Sequence, residues 1–254
     1  MSESEISAAE GAFWAIPPHT GIVYWEMLSL LHTQLRPRRY LEIGTENGAS
    51  LKQAKCASIA IDPKFGTLDR ETLEKPACLL FQMTSDTFFE SYSPTTLLNG
   101  PLDIVFLDGM HLYEFLLRDF IHVERHCRRN SVVLLHDCLP PDANVARRGI
   151  HDTTLRAQSL YPNWWAGDVW KAALIIRKLR PELKMYAFDA PPTGLVAITN
   201  LDPASNILER AYYDAVAEYR DLTLGTFGTD AYLKLFEPRK FSDDFNDIAE
   251  LFWL

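Results

Sequence analysis

Between residues 21 and 34 the apolar side chains Val23, Met27, Leu30 and Leu31 recur at steps of three and four, the spacing of one helix face. Pro37, within Arg36-Pro37-Arg38-Arg39, ends that helix, since proline removes a backbone donor and clashes with the preceding turn. The pattern then changes to short, largely apolar runs at 39–44, 58–62, 78–83, 102–107 and 131–137. Runs of that length without alternation are what strands buried on both faces look like. After the third run, Ser85 or Asp86 is placed to cap a helix. After the fourth, Leu112, Leu116, Phe120, Val123 and Cys127 mark a helical face. A further helix is expected over 169–179 with Asp168 as its cap, and another over 206–222. Two last runs, 184–188 and 194–199, are separated only by Asp189-Ala190-Pro191-Pro192-Thr193. A link that short cannot house a crossover helix, so these strands must be antiparallel neighbours. The expected fold is α/β and Rossmann-like: a seven-stranded, mostly parallel sheet ending in an antiparallel β-hairpin, with helices on both faces.

One domain is expected across the 254 residues, since 47% hydrophobic residues supply a sizeable core. Its parts are a helical lead-in over 1–38, a core over 39–199, and a C-terminal helix and tail over 200–254. Residues 1–9 carry no structural pattern and are expected to be disordered. The aromatic-rich stretch 13–24, with Trp14, Pro17, Pro18 and His19, either walls a pocket or packs on the domain. The acidic, aromatic tail 241–254 is expected to dock on the core or on a partner subunit. Thirty-four acidic against 25 basic residues leave a net charge of −9, which argues against nucleic acid or an anionic membrane as partner. Cys56, Cys78, Cys127 and Cys138 are widely spaced and form no C-x-x-C pair, so they read as reduced thiols rather than a zinc site or disulfide framework. With no signal-peptide pattern over 1–11 and no apolar run of membrane-spanning length, the expected location is cytoplasmic.

The densest chemistry begins at Tyr40-Leu41-Glu42-Ile43-Gly44-Thr45-Glu46-Asn47-Gly48-Ala49-Ser50. Here an apolar run enters a loop with two glycines and leaves through small residues suited to a helix start. A glycine in such a loop lets a ligand approach the backbone closely. A diphosphate would find Glu46 and Glu42 hostile, because a carboxylate within ~5 Å of it costs roughly a few kcal/mol at intermediate dielectric; a cationic ligand is favoured instead. The dinucleotide pattern G-x-G-x-x-G also fails, since Glu46 and Ala49 stand where it needs glycine. Asp62, at the end of the second run, arrives beside the glycine loop, where it suits a ribose. This stretch resembles the first motif of class I S-adenosylmethionine-dependent methyltransferases, acid-x-Gly-x-Gly-x-Gly, with Glu46 in place of the middle glycine. The resemblance implies a cofactor site of Glu42, Gly44, Gly48 and Ser50, with Asp62 on the ribose hydroxyls, Asp86 on the adenine amino group and Asp108 beyond. For Asp86, helix capping and cofactor contact both stand.

The fourth run ends in Asp108-Gly109-Met110-His111, and the fifth in His136-Asp137. In a parallel sheet these polar groups gather at the carboxyl edge, opposite the cofactor loop. Asp108, Gly109, His111, Tyr113 and Glu114 resemble the Asp-Gly-x-His block of a methyltransferase subgroup that includes small-molecule O-methyltransferases and cephalosporin-hydroxylase-like proteins. Asp108 and Asp137 are hard oxygen donors suited to Mg²⁺, and metal-dependent relatives carry acids or amides there. His136 either joins them, shifting preference toward Mn²⁺, Fe²⁺ or Zn²⁺, or is no ligand. The segment 139–167, with Pro140, Pro141, Arg147, Arg148, His151, Tyr161, Trp164 and Trp165, is long for a connection and reads as a substrate lid. In the other reading Trp164 and Trp165 anchor it to the core or to a second subunit. The resulting expectation is methyl transfer from S-adenosylmethionine to a hydroxyl of a small molecule, a sugar or natural product, with His111 as catalytic base and a divalent ion on Asp108, His136 and Asp137. A cofactor-binding or assembly protein without methyl transfer, a hydroxylase-like enzyme, and a homo-oligomer stay open.

Overall fold

The computed structural model describes residues 19–151, 154, 157, 159, 161–240 and 246–254. The expectations for 1–9, for Trp14, Pro17 and Pro18, and for the start of the tail at 241–245 lie outside the described residues. The strands are β1 (Arg39–Ile43), β2 (Ala57–Ile61), β3 (Cys78–Phe81), β4 (Leu102–Leu107), β5 (Cys127–His136), β6 (Lys184–Phe188) and β7 (Leu195–Thr199). They form one sheet in the order β3-β2-β1-β4-β5-β7-β6. β1 to β5 pair in parallel, while β7 lies antiparallel between β5 and β6. This is a Rossmann-like sheet with an antiparallel end hairpin, as the short link at 189–194 requires.

Strand alternation splits the core in two. Leu41, Ile43, Val105, Leu107, Val133 and Leu135 face the helices Tyr113–Glu124, Trp170–Leu179 and Ile207–Tyr219. Tyr40, Ala60, Ile104, Phe106, Val132 and Leu134 face the helix Tyr24–Leu35. Ile248 and Phe252, at the C-terminal helix Asn246–Leu251, are buried in this second cluster, so the tail docks on the core. Burying one side chain such as Phe106 stabilises the fold by about 1.5–3 kcal/mol, and cutting it to alanine would cost about 3–5 kcal/mol with the cavity included. Register also levels the site: Ile43 pairs with both Ile61 and Leu107, and Leu107 with Leu135. Gly44, Asp62, Asp108 and His136 therefore leave the sheet along one edge.

Several local expectations change. The helix expected from Gly48 is only a 3₁₀ turn, Leu51–Gln53, in the short path to β2. Thr84, not Ser85 or Asp86, caps the helix Ser85–Ser91, its hydroxyl accepting from Thr87 N. Cys127 opens β5 instead of ending the preceding helix, which stops at Glu124. Asp168 does not cap Trp170–Leu179; it receives Tyr113 N at 3.2 Å and Lys171 Nζ at 3.1 Å. The helix expected over 206–222 ends at Tyr219, and short helices Leu224–Phe227 and Thr229–Phe236 follow. All four cysteines are free, and no helix among the described residues is long and apolar enough to cross a membrane.

Candidate active site

The carboxyl ends of β1, β2, β4 and β5 open into a cavity of about 880 Å³. Gly44, at φ +86°, forms its floor, and a Cβ there would lie 1.9 Å from the Asp108 carbonyl oxygen. The neighbouring strand exit alone thus requires glycine here, whatever ligand the cavity takes. Gly48 likewise faces protein, its absent Cβ 2.8 Å from Thr72 Cγ2. Glu46 keeps the left-handed conformation that the resembled motif serves with glycine, at φ +46°, and its side chain is exposed. Its backbone N–H donates to Asp62 Oδ2 at 2.7 Å, while Lys64 N donates to Asp62 Oδ1 at 2.7 Å. Asp62 so ties the loop to β2 and lines the cavity.

Of the other residues proposed for the cofactor, Asp86 and Asp108 line the cavity, whereas Glu42, Gly48 and Ser50 do not. Glu42 is fully buried on the Tyr24–Leu35 side of the sheet, where the Tyr40 hydroxyl donates to it at 2.7 Å. Burial pushes its carboxyl up to about 7 against that hydrogen bond. Asp86 is held by Arg118 through two bonds, Nε at 3.0 Å and Nη2 at 2.6 Å.

Toward β5, Asp108, His111, His136 and Asp137 form one cluster. His111 and Asp137 both occupy the left-handed region, at φ +53° and +60°, conformations that cost non-glycine residues energy and gather at functional sites. His111 Nδ1 lies 3.0 Å from Asp137 Oδ2 and 3.1 Å from the Trp165 carbonyl; its Nε2 lies 3.5 Å from Asp108 Oδ1. The Trp165 ring stacks on the imidazole at 5.0 Å, and Trp165 Nε1 donates to the Arg147 carbonyl at 2.8 Å. Thr193 donates its hydroxyl to Asp137 Oδ1. Burial works against charge on His111, but Asp137 and Asp108 outweigh it and raise the imidazole to about 9. His136 is raised above its usual range by the same two carboxylates, again against burial. Asp137 is buried too, yet His136 and His111 hold it below the usual carboxylate range.

One donor atom each from Asp108, His111 and Asp137 lie within 4.8 Å of one another, a set that suits a divalent ion. Asp137 Oδ2, buried and without a hydrogen-bond partner among the described residues, fits the same reading. The sequence placed His136 in that set; the structure brings His111 there instead. His136 points Nδ1 at Asp108 Oδ1, 3.0 Å away, and packs beneath the Tyr24 ring at 4.2 Å, where it orients the carboxylate. Of the connection 139–167, Arg148, Ile150, Trp164 and Trp165 line the cavity, so the described part of the expected lid is one of its walls. Trp164 packs on Val145, Tyr161 and Ala166, a buried cluster made within the connection itself rather than with the sheet's core. Arg148 is spent on Glu114 and on Asp168, 3.1 Å away. Asp119, which sequence reasoning passed over, lines the cavity from the helix Tyr113–Glu124. The available signal was an acid inside the apolar face between Leu116 and Val123.

Residues 41–138 match a family described as a methyltransferase domain. No curated protein matches the chain. Among solved structures, an O-methyltransferase from Bacillus cereus in complex with SAH is 15% identical, with 77% of this chain and 88% of that one covered and a TM-score of 0.45. The O-methyltransferase TomG from Streptomyces achromogenes, involved in tomaymycin synthesis and in complex with SAM, is 15% identical over 78% and 90%, TM-score 0.47. The SAH-bound Podospora anserina methyltransferase PaMTH1 is 13% identical over 80% and 97%, TM-score 0.47. Residues 41–138, the stretch similar to that family, supply Gly44, Asp62, Asp108, His111 and Asp137 to the cavity.

Proposed function

We propose that the protein transfers the methyl group of S-adenosylmethionine to a hydroxyl of an uncharged small molecule, a sugar or natural product. One observation carries the reading: a single cavity joins the Gly44–Asp62 edge, suited to an adenosyl group, to the Asp108–His111–Asp137 cluster under Trp165. Asp62 lines the edge where a ribose would lie, and exposed Glu46 disfavours a diphosphate while favouring a sulfonium. Arg148, already paired with two carboxylates, offers no charge to an anionic acceptor.

Methyl transfer needs an in-line approach of the hydroxyl and the loss of its proton, and holding both partners in one cavity supplies much of the rate. His111 in its neutral form, the minor one below about pH 9, is the group placed to take that proton at Nε2, with Nδ1 held by the Trp165 carbonyl, 3.1 Å away. Asp108, His111 and Asp137 would also hold a divalent ion, whose chemistry when bound is to lower the pKa of a hydroxyl and orient it. With such an ion His111 is a ligand; without one it is the base. Exhaustive chelation separates the two, abolishing turnover in the first case and leaving it in the second. The overall reading is tested by calorimetry and by release of S-adenosylhomocysteine with hydroxylated acceptors. Tight binding of NAD with none of S-adenosylmethionine overturns it.

A further inference from the structure

The helices Ser85–Ser91 and Tyr113–Glu124 pack side by side, and between their starts and Gly109 lies the cavity end nearest β3. If Asp62 takes the ribose and the Gly44–Asp108 edge the amino-acid portion, the base must extend into this end. This step rests on the methyltransferase reading above. Two carboxyl groups line it, Asp86 and Asp119. Asp86 has both oxygens taken by Arg118, and Arg118 Nη1 goes to the Tyr212 hydroxyl at 2.8 Å. Asp119 is different. It is only 3% exposed, forms no ion pair among the described residues, and has the Ser85 hydroxyl as its hydrogen-bond partner. Its Oδ2 lies 3.5 Å from the point that a Cβ on Gly109 would occupy, so Gly109 leaves the carboxyl open toward the cavity.

We infer that Asp119 is the residue that recognises the adenine, its carboxyl pairing with the base edge that carries the N6 amino group and N1. A carboxylic acid presents an acceptor and a donor side by side, and that edge of adenine presents a donor and an acceptor at matching separation. The environment suits the neutral form this needs: burial pushes the Asp119 carboxyl up to about 7 against the Ser85 hydrogen bond, and the nearby Asp86 charge adds to the rise. Asparagine offers the same acceptor and donor pair, whereas leucine keeps the volume and offers neither.

Calorimetry tests this with S-adenosylhomocysteine and with its analogue bearing hydrogen in place of the N6 amino group. The wild-type protein should bind the analogue about 10–100-fold more weakly, since a buried polar group loses its partner. Asp119→Asn should stay within about threefold of wild type for S-adenosylhomocysteine, and Asp119→Leu should bind both ligands about equally, closing a double-mutant cycle. Equal wild-type affinity for the two ligands overturns the inference, and that comparison needs no variant to fold. So does an Asp119→Leu protein that keeps the wild-type ratio, or an Asp119→Asn protein as weak as Asp119→Leu. Absence of any S-adenosylhomocysteine binding by the wild type would instead bring down the methyltransferase reading itself.

Discussion

Replacing Gly44 with alanine separates two accounts of the glycine loop, one in which the residue makes room for a ligand and one in which it makes room for the protein. The added Cβ would sit 1.9 Å from the Asp108 carbonyl oxygen and 2.4 Å from its carbon, both backbone atoms that cannot rotate away. The backbone at φ +86° adds strain of about 1–2 kcal/mol for any side-chain-bearing residue. Relieving the overlap means separating the exits of β1 and β4, at the usual overpacking cost of about 1–3 kcal/mol. Together these give about 2–5 kcal/mol, or on the order of 10 °C in Tm for a chain of this size. Gly66→Ala is the matched control on the same side of the site, since its Cβ would meet nothing nearer than the Glu46 carbonyl oxygen at 3.4 Å. It should change stability by less than about 1 kcal/mol. Urea denaturation of both variants, with S-adenosylhomocysteine titrations alongside, reads out the difference. A Gly44→Ala protein that melts like wild type but loses the ligand would refute the steric account and restore ligand approach as the reason for the glycine.

His111→Gln should lower kcat by about 10²–10⁴-fold while leaving S-adenosylhomocysteine affinity within a few-fold, because the proposed function gives the imidazole to proton transfer or the ion and not to cofactor binding; unchanged turnover sinks the assignment. Asp137→Asn should weaken Mn²⁺ binding by at least tenfold in calorimetry, whereas His136→Gln should weaken it less, since His136 contributes no donor to the convergent set; the reverse order would return His136 to the ligand list. His32, in the helix Tyr24–Leu35, is buried against Tyr40 with neither ring nitrogen hydrogen-bonded among the described residues, and burial, reinforced by Lys75 and Lys55, pushes it down to about 3. The unfolded state then binds the extra proton below pH ~6.5, so this stability is complete above that pH, is reduced by about 2 kcal/mol at pH 5 and is lost by about pH 3. His32→Leu should flatten the slope of urea stability between pH 6.5 and 4 relative to wild type; equal slopes would show that another group controls it.

The sheet was readable because each strand is a short apolar run and because 189–193 is too short to cross over, both local properties of the chain. The site was readable only as far as strand ends determine it. Asp62, Asp108 and Asp137 stand at or just past the carboxyl ends of β2, β4 and β5, so their gathering follows from topology. The choice between His111 and His136 does not, since it depends on left-handed backbone at His111 and Asp137, which no glycine advertises. Asp86 and Asp119 could not be ranked either, because the Arg118 that occupies Asp86 comes from a different helix. Glu42 was misplaced for a simpler reason: alternation sets it beside Tyr40 on the face opposite Leu41 and Ile43, away from the cavity. Removing Glu42 from the pocket leaves the charge logic standing on other residues. Glu46, Asp62, Asp108 and Asp137 border the cavity; Arg148, which also lines it, is already paired with acids, as is Arg118 behind Asp86. A diphosphate would be repelled by these four carboxylates, while a sulfonium would be attracted by them, against the opposing charge of Arg148 and His111. Under the proposed function, selectivity for a cationic cofactor would lie in the loop and strand ends that line the cavity.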